Sequence, residues 1–271
     1  MAYAIYTDLD GTLLNHHSYQ YQEAIPAIRL LKQQKFPIIP VTSKTRAEVL
    51  PLREELELDG PMIVENGAAV FLPESISTNM AELTARMDGF YVKAFAPGMS
   101  FWADVVTGLH ESLPNTFTAF SDMAALEIAE LTGLPPAEAE LAAKREFSDP
   151  LHWYGSDYQL TELIRLCHEQ DIKVVRGGRF VHLLQGSDKG KAVRWLHQLL
   201  RSQSEQPLTS IGLGDGENDL AFLAEVDRAV QVRSDSHGFP DFAHDKLYRT
   251  KAIGPAGWAE AVFELLKTQH R

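Results

Sequence analysis

Cysteine and positive charge are both scarce in this sequence. Cys167 is the single cysteine, which excludes an internal disulfide and any metal site built on several thiolates, and its helical surroundings predict that it is buried. The 25 basic residues stand against 37 acidic ones, and the net charge of −12 argues against a general affinity for nucleic acid or anionic membranes. An anionic ligand would therefore need a local concentration of positive charge.

Long hydrophobic runs are absent as well. No window approaches 18 uninterrupted apolar residues, the length at which a membrane-spanning helix becomes a candidate. The first residues, MAYAIYTDLDG, contain no basic segment followed by an apolar stretch of signal-peptide length. We therefore expect a soluble, cytoplasmic protein that has neither a membrane nor nucleic acid as a partner.

What the sequence does contain is an alternation of short apolar runs with segments of helical period. This alternation is typical of a parallel sheet covered by helices, so the predicted fold class is α/β. The predicted strands occupy residues 4–7, 37–41, 62–64, 209–212 and 229–232. The predicted helices occupy residues 23–34, 45–56, 189–201, 219–224 and 257–267.

A chain of 271 residues favours two domains. The sequence changes in texture between its first and last thirds, and residues 83–185 are predicted to form an inserted second domain. Residues 1–82 and 186–271 would then form the core. Two short crossings of the chain, near Leu83 and Gly186, would connect the insert to it.

Two aspartates directly follow the first predicted strand. Side chains two residues apart on an extended segment point the same way, so Asp8 and Asp10 can share a site at the carboxyl end of that strand, where open α/β sheets bind ligands. Gly11 supplies the turn away from the strand. The alternative is that both acids are solvated turn residues.

A second acidic segment, GDGEND at residues 214–219, follows another predicted strand. Its glycines allow the backbone to approach a ligand closely, although Asn218 or Asp219 could instead serve as a helix N-cap. Carboxylates that converge from both strand ends would raise one another's pKa unless a cation lay among them. A hard divalent cation, Mg²⁺, is the natural occupant, and it also suits phosphoryl transfer.

Two further features fit a phosphoryl site. Thr42 and Ser43 end a predicted strand and offer hydroxyl and backbone N–H groups, although one of them could instead cap the following helix. Lys189 begins a predicted helix, where a positive charge is unfavourable to the helix dipole. This position indicates a functional role for the lysine, and the alternative is a solvated side chain.

Together these motifs resemble the haloacid dehalogenase superfamily of phosphotransferases. Four segments match its motifs in order and spacing: DLDGT at 8–12, VTS at 41–43, Lys189, and GDGEND at 214–219. The resemblance implies a Rossmann-like core with a parallel sheet. The insertion between the second and third motifs implies an α/β cap domain of the C2 type.

Within the superfamily the chain is similar to the mannosyl-3-phosphoglycerate phosphatase family over nearly its whole length. The similar segments are TDLDGTLL, VTSKTRAEV, VENGAAVFLP, GGRFVHLL and GLGDGENDLAFL. The SKTR segment and GGRFVHLL, which precedes Lys189, carry this narrower likeness. It implies Mg²⁺-dependent hydrolysis of mannosyl-3-phosphoglycerate to mannosylglycerate and phosphate.

The resemblance also implies catalytic roles. Asp8 would attack phosphorus and form an aspartyl-phosphate, while Asp10 would protonate the leaving alkoxide and then activate water. Lys189 would complete the catalytic set. The implied Mg²⁺ site consists of Asp8, Asp10 through its backbone carbonyl, and Asp215, supported by Asn218 and Asp219. The implied phosphoryl-binding residues are Thr42, Ser43 and Lys189.

Such a substrate carries a carboxylate and a hexose besides its phosphate, so further contacts are needed. Arginine offers a bidentate fork to a carboxylate, and Arg179 is the preferred candidate. The full set of candidate substrate contacts is Lys44, Glu65, Asn66, Arg176, Arg179 and His182. Alternatives stay open for several of them, because Lys44 and Arg176 could be solvated and Glu65 and Asn66 could belong to a hairpin turn.

Other functions also remain open at this stage. A phosphatase for the glucosyl analogue or another sugar phosphate would use the same scaffold, and a phosphomutase would share the aspartyl-phosphate. A catalytically silent sugar-phosphate sensor would not need the complete set of acids that this chain retains. The sequence indicates no oligomeric state and no protein partner.

Overall fold

The computed structural model describes residues 2–76, 82–176 and 180–267. Its strands are β1 (Ala2–Thr7), β2 (Ile38–Pro40), β3 (Met62–Val64), β4 (Ala69–Pro73), β5 (Ala85–Met87), β6 (Phe90–Ala94), β7 (Phe117–Ala119), β8 (Leu151–Trp153), β9 (Lys173–Arg176), β10 (Val181–Leu184), β11 (Leu208–Gly214), β12 (Arg228–Arg233) and β13 (Leu247–Ile253). Its α-helices are α1 (Ile25–Gln33), α2 (Arg46–Glu55), α3 (Met99–Ser112), α4 (Ala125–Thr132), α5 (Pro136–Ala142), α6 (Asp157–His168), α7 (Lys189–Gln203), α8 (Leu220–Leu223) and α9 (Gly254–Lys267).

The central sheet is parallel and has the strand order β13-β12-β11-β1-β2. Alternate residues of β1 point to opposite faces, so Tyr3 and Ile5 enter one apolar cluster while Ala4 and Tyr6 enter another. Both faces of this strand are buried, as expected for a parallel sheet between helices. The predicted α/β class is confirmed.

Two antiparallel sheets accompany the central one. The first has the order β3-β4-β6-β5 and the second the order β7-β8-β10-β9. The second sheet packs with α3 and α6 around its own apolar cluster, which includes Trp102 and Cys167. Cys167 is fully buried there, as predicted. No helix within the described ranges is long and apolar enough to span a membrane.

The division into residues 1–82 and 186–271 against 83–185 stays a prediction. The strand pairing bears on where the first crossing lies, because β6 pairs with β4 over five residue pairs from Ala69 with Ala94 to Pro73 with Phe90. This pairing attaches residues 85–94 to the hairpin of β3 and β4. We therefore propose a first crossing beyond Ala94.

Candidate active site

Strands β1 and β11 end at the same edge of the central sheet. They run parallel with Thr7 opposite Leu213, and the N–H of Asp8 donates to the Leu213 carbonyl at 2.9 Å. This register brings Asp8 and Asp215, the residues just beyond the strands, to one place. Gly11 turns the chain away with a φ of +82°, and a Cβ on it would lie 2.5 Å from Asp215 Oδ2. The close approach therefore requires glycine.

Lys189 lies between two buried carboxylates. Its Nζ donates to Asp8 Oδ1 and to Asp219 Oδ1, each at 2.7 Å. Burial lowers the pKa of Lys189, but the carboxylates of Asp219 and Asp8 raise it by more, so this lysine is held in its charged form. Burial, followed by the charge of Asp219, raises the pKa of Asp8. One lysine thus offsets only part of the negative charge gathered here.

The second carboxylate oxygen of Asp219 binds backbone N–H groups. Oδ2 accepts hydrogen bonds from the N–H groups of Asp215 and Gly216, both at 3.0 Å. Asp219 therefore holds two groups in place: the Lys189 side chain through Oδ1 and the loop after β11 through Oδ2. Thr12, in the segment after β1, orients the Asp215 side chain, because its Oγ1 donates to Asp215 Oδ1 at 2.9 Å.

The donor set at this edge fits a hard divalent cation. Asp8, Asp215 and Asp219 each offer an oxygen, and the three oxygens lie within 4.8 Å of one another. Burial and the charge of Asp219 raise the pKa of Asp215, which is the repulsion that a bound cation relieves. Carboxylate oxygens at this spacing suit Mg²⁺ or a similar ion. Asn218, another of the five predicted contributors, is exposed beside this cluster.

Asp10 lies beside the cluster and faces a cavity. Its Oδ2 lies 3.1 Å from Lys44 Nζ, while its buried Oδ1 has no hydrogen-bond partner among the described residues. Lys44 also lies 3.6 Å from Glu48. Burial lowers the pKa of Lys44, and the carboxylates of Asp10 and Glu48 raise it by more. Lys44 is therefore engaged by protein carboxylates instead of being solvated.

Thr42 and Ser43 lie in the loop between β2 and α2. Thr45, not either of them, is the N-cap of α2: its side chain accepts from the Glu48 N–H at 3.1 Å, and Glu48 accepts from the Thr45 N–H at 2.8 Å. Neither Thr42 nor Ser43 is therefore the N-cap of α2, which was the alternative that the sequence left open. Thr42 is buried, and Ser43 lines the cavity.

The cavity, about 490 Å³ in volume, lies between this loop and residues of the segment after α5 and of β10. Asp10, Ser43 and Lys44 line it from the loops that follow β1 and β2, and Arg145 and His182 line it from the segment after α5 and from β10. Burial lowers the pKa of His182 to about 4, assisted by the charges of Arg145 and Lys189. His182 is therefore a neutral wall residue near neutral pH.

Glu65 does not lie where the sequence analysis expected. It is fully buried, and its two carboxylate oxygens accept hydrogen bonds from the N–H groups of Glu146 and Phe147 and from the Ser148 hydroxyl. These contacts hold the segment after α5 and leave no oxygen for a sugar hydroxyl. The alternative reading, a turn between antiparallel strands, is what the structure shows, because β3 and β4 flank Glu65.

The remaining predicted substrate contacts, Asn66, Arg176 and Arg179, differ in where they lie. Asn66 follows Glu65 with a φ of 59°, and its buried Oδ1 has no hydrogen-bond partner within the described ranges. Arg176 is exposed at the end of β9, and the cavity-lining residues that the structure describes do not include it. Arg179 lies outside the described residues.

Arg145 was missed by the sequence analysis. It follows α5 in a segment with no recognisable motif, and only the folded chain brings it to Ser43, whose carbonyl accepts from its Nη2 at 3.1 Å. His237 was missed for the same reason: its Nε2 lies 3.3 Å from Asp215 Oδ2. Thr12 belongs to the DLDGT motif, so its proximity to the site had a signal in the sequence.

Known proteins resemble this chain at several levels. The sequence profile of haloacid dehalogenase-like hydrolases matches residues 5–85. The glucosyl-3-phosphoglycerate/mannosyl-3-phosphoglycerate phosphatases of Methanococcoides burtonii and Persephonella marina are each 34% identical to it, and each alignment covers 98% of both chains. A haloacid dehalogenase-like hydrolase from Bacteroides thetaiotaomicron shares the fold with a TM-score of 0.67 at 16% identity, covering 98% of this chain and 100% of that one.

Proposed function

We infer the reaction from family membership: this chain belongs to the glucosyl-3-phosphoglycerate/mannosyl-3-phosphoglycerate phosphatases, a family of haloacid dehalogenase-like hydrolases, and it is a phosphoric monoester hydrolase. The specific reaction that we propose is the Mg²⁺-dependent hydrolysis of mannosyl-3-phosphoglycerate to mannosylglycerate and phosphate. The glucosyl compound is the second candidate, because the names of both relatives include it.

The observation that carries the proposal is the contact of Lys189 with Asp8 beside the other carboxylates. A carboxylate held by a buried ammonium group, 2.7 Å away, is fixed in position and presented at a strand end. Such a group is suited to nucleophilic attack on phosphorus. The adjoining cavity of about 490 Å³ has room for a sugar and a glycerate.

In the first half of the proposed mechanism an oxygen of Asp8 attacks phosphorus. The bond from phosphorus to the glycerate oxygen breaks, and protonated Asp10 gives its proton to that oxygen. In the second half Asp10 takes a proton from water, the water oxygen attacks phosphorus, and the bond to Asp8 breaks. Phosphate leaves, and Asp8 and Asp10 return to their starting forms.

The partnerless Oδ1 of Asp10 supports its assignment to proton transfer. This buried oxygen has no hydrogen-bond partner among the described residues, and the residue lines the cavity. A carboxyl that must both donate and accept a proton needs such an uncommitted oxygen. Lys44 contacts the opposite oxygen, Oδ2, and so orients the carboxyl group without occupying Oδ1.

Metal and phosphoryl binding complete the proposal. Asp8, the Asp10 carbonyl and Asp215 would hold Mg²⁺, supported by Asp219 and Asn218. When bound, the ion supplies positive charge against the phosphoryl oxygens. Thr42, Ser43 and Lys189 would bind these oxygens directly, and Lys189 would in addition keep Asp8 in place.

The test is release of phosphate from mannosyl-3-phosphoglycerate, glucosyl-3-phosphoglycerate, 3-phosphoglycerate and hexose phosphates in the presence of Mg²⁺. Asp8→Asn should abolish release, while Asp104→Asn, at an exposed aspartate of the insert, should leave it unchanged. Preference for the mannosyl compound supports the full proposal. Equal or greater activity on the glucosyl compound favours the second candidate, and full activity of Asp8→Asn refutes the mechanism.

A further inference from the structure

Arg145 contributes a guanidinium group to the wall of the cavity that contains Asp10 and Ser43. The side chain is 7% exposed, although arginine is seldom buried without a partner. The proposed mechanism gives Arg145 no role. Its position, its contacts and its unused donors together indicate one.

Hydrogen bonds hold the Arg145 side chain in a defined orientation. Nε and Nη2 donate to the Ser148 hydroxyl at 3.0 and 2.9 Å, and Nη2 also donates to the Ser43 carbonyl at 3.1 Å. Glu65 stabilises the same segment, because it accepts from the Ser148 hydroxyl and lies 3.6 Å from Nε of Arg145. A side chain fixed in this way loses little further freedom when it binds a ligand.

The N–H groups of Arg145 Nη1 are available to bind a ligand. Within the described ranges, Nη1 makes neither a hydrogen bond nor an ion pair. Lys44, the other cation on the cavity wall, already lies against Asp10 and Glu48. His182 adds no charge near neutral pH. Arg145 is thus the cavity cation that can take up an anion from a ligand.

We propose that Arg145 binds the carboxylate of the glycerate part of the substrate, and this assignment rests on the proposed function. In 3-phosphoglycerate the carboxylate and the phosphate occupy the two ends of a three-carbon chain, so their binding groups must be close together. Ser43 supplies that proximity, because it is a proposed phosphoryl ligand and its carbonyl accepts from Arg145. A planar guanidinium is well matched to a carboxylate.

The test compares two inhibitors that differ in the carboxylate. 3-Phosphoglycerate and glycerol 3-phosphate are used as competitive inhibitors of p-nitrophenyl phosphate hydrolysis. We expect wild-type protein to bind 3-phosphoglycerate about 10- to 100-fold more tightly, the range that one charge-assisted contact supplies. Arg145→Met should remove this preference by weakening the binding of 3-phosphoglycerate, with a smaller effect on kcat/KM for p-nitrophenyl phosphate, which carries no carboxylate.

Two further variants make the test specific. Arg46→Lys is the matched control, because Arg46 also joins the core to the insert, through Glu146 at 3.0 Å, but does not line the cavity. It should keep the full preference. Arg145→Lys retains the charge beside Glu65 and should keep part of the preference. If Arg145→Met fails to fold, a loss of at least about threefold in Arg145→Lys carries the test.

Two results would overturn the assignment. Either Arg145→Met and Arg145→Lys both keep the full preference, or Arg145→Met loses p-nitrophenyl phosphate hydrolysis by as large a factor as it loses affinity for 3-phosphoglycerate, which would place Arg145 at the phosphoryl group. Phosphate release from mannosyl- and glucosyl-3-phosphoglycerate by wild-type protein is measured alongside. If Arg145→Met releases phosphate from these compounds as fast as wild type does, the Arg145 assignment is wrong and the proposed function stands. If wild-type protein releases no phosphate from either compound, the proposed function itself is wrong.

Discussion

Lys189 and Asp8 are 181 positions apart in the chain, and their Nζ and Oδ1 atoms lie 2.7 Å apart. The contact joins the start of α7 to the end of β1 in the interior of the protein. Both side chains are almost completely buried, so the ion pair replaces hydration that neither group retains. Removing Lys189 would leave the carboxylates of Asp8 and Asp219 without their shared cation, whereas Lys189 without Asp8 would still contact Asp219.

The first prediction concerns Lys189→Met. Asp8 and Asp219 would lose their shared cation, and Asp8, whose pKa burial already raises, would be less ionised and less well positioned. We expect kcat/KM for phosphate release to fall by at least about 100-fold. Lys191→Met, at an exposed lysine of the same helix, should stay within about threefold of wild type. Near-normal activity of Lys189→Met would refute the role assigned to this contact.

The second prediction concerns metal removal. Mg²⁺ that binds only the folded protein at 100 times its dissociation constant should stabilise it by about 2.7 kcal/mol, so chelation should lower the midpoint of thermal unfolding and abolish phosphate release. Asp215→Asn should lose the Mg²⁺-dependent shift. Because burial and Asp219 disfavour the charged form of Asp215, this variant should be no less stable than wild type without metal. An Mg²⁺ shift of wild-type size in Asp215→Asn would contradict the proposed ligand.

The third prediction separates backbone strain from contact at Gly11. Gly11 and Gly89 both have a φ of +82°, so alanine at either position should cost about 1 kcal/mol of stability. A Cβ at position 11 would also lie 2.5 Å from Asp215 Oδ2, whereas one at position 89 meets no heavy atom within 4 Å. Gly11→Ala should therefore lower kcat/KM by about 100-fold, and Gly89→Ala should not. Equal kinetic effects of the two substitutions would argue against this reading.

The sequence was sufficient to place the acidic residues because a simple rule of parallel sheets connects them. Asp8 and Asp215 each follow an apolar run, and parallel strands that pair in register end at one edge. The same periodicity predicted β3 at Met62–Val64 with its observed bounds. It did not predict β13, whose sequence LYRTKAI alternates only weakly between apolar and polar residues.

No comparable rule predicts the contacts that the segment after α5 makes with the loops after β2 and β3. Glu65 was assigned to substrate because it follows a strand beside other site motifs, yet its carboxylate binds the backbone of residues 146 and 147, which are more than 80 positions away. Arg145 reaches Ser43 across a similar separation. Contacts of this kind depend on how segments that are distant in the sequence pack together, and no local pattern encodes that geometry.

The last prediction concerns the pH dependence of stability through His182. Burial, together with the charges of Arg145 and Lys189, lowers the pKa of this imidazole from 6.5 to about 4 in the folded protein. The unfolded chain then binds a proton more readily than the folded chain between these two values. The contribution of His182 to the free energy of unfolding is fully present above about pH 6.5, declines as the pH falls toward 4, and changes no further below that.

Chemical denaturation of wild type and His182→Gln at pH 7 and pH 5 measures this contribution. Glutamine cannot be protonated in this range, so the variant should lose roughly 1–2 kcal/mol less stability than wild type between the two pH values. His168→Gln, at an exposed histidine on α6, should follow the wild-type dependence. Identical losses in wild type and His182→Gln would mean that the folded protein accepts the proton on His182 as easily as the unfolded chain does.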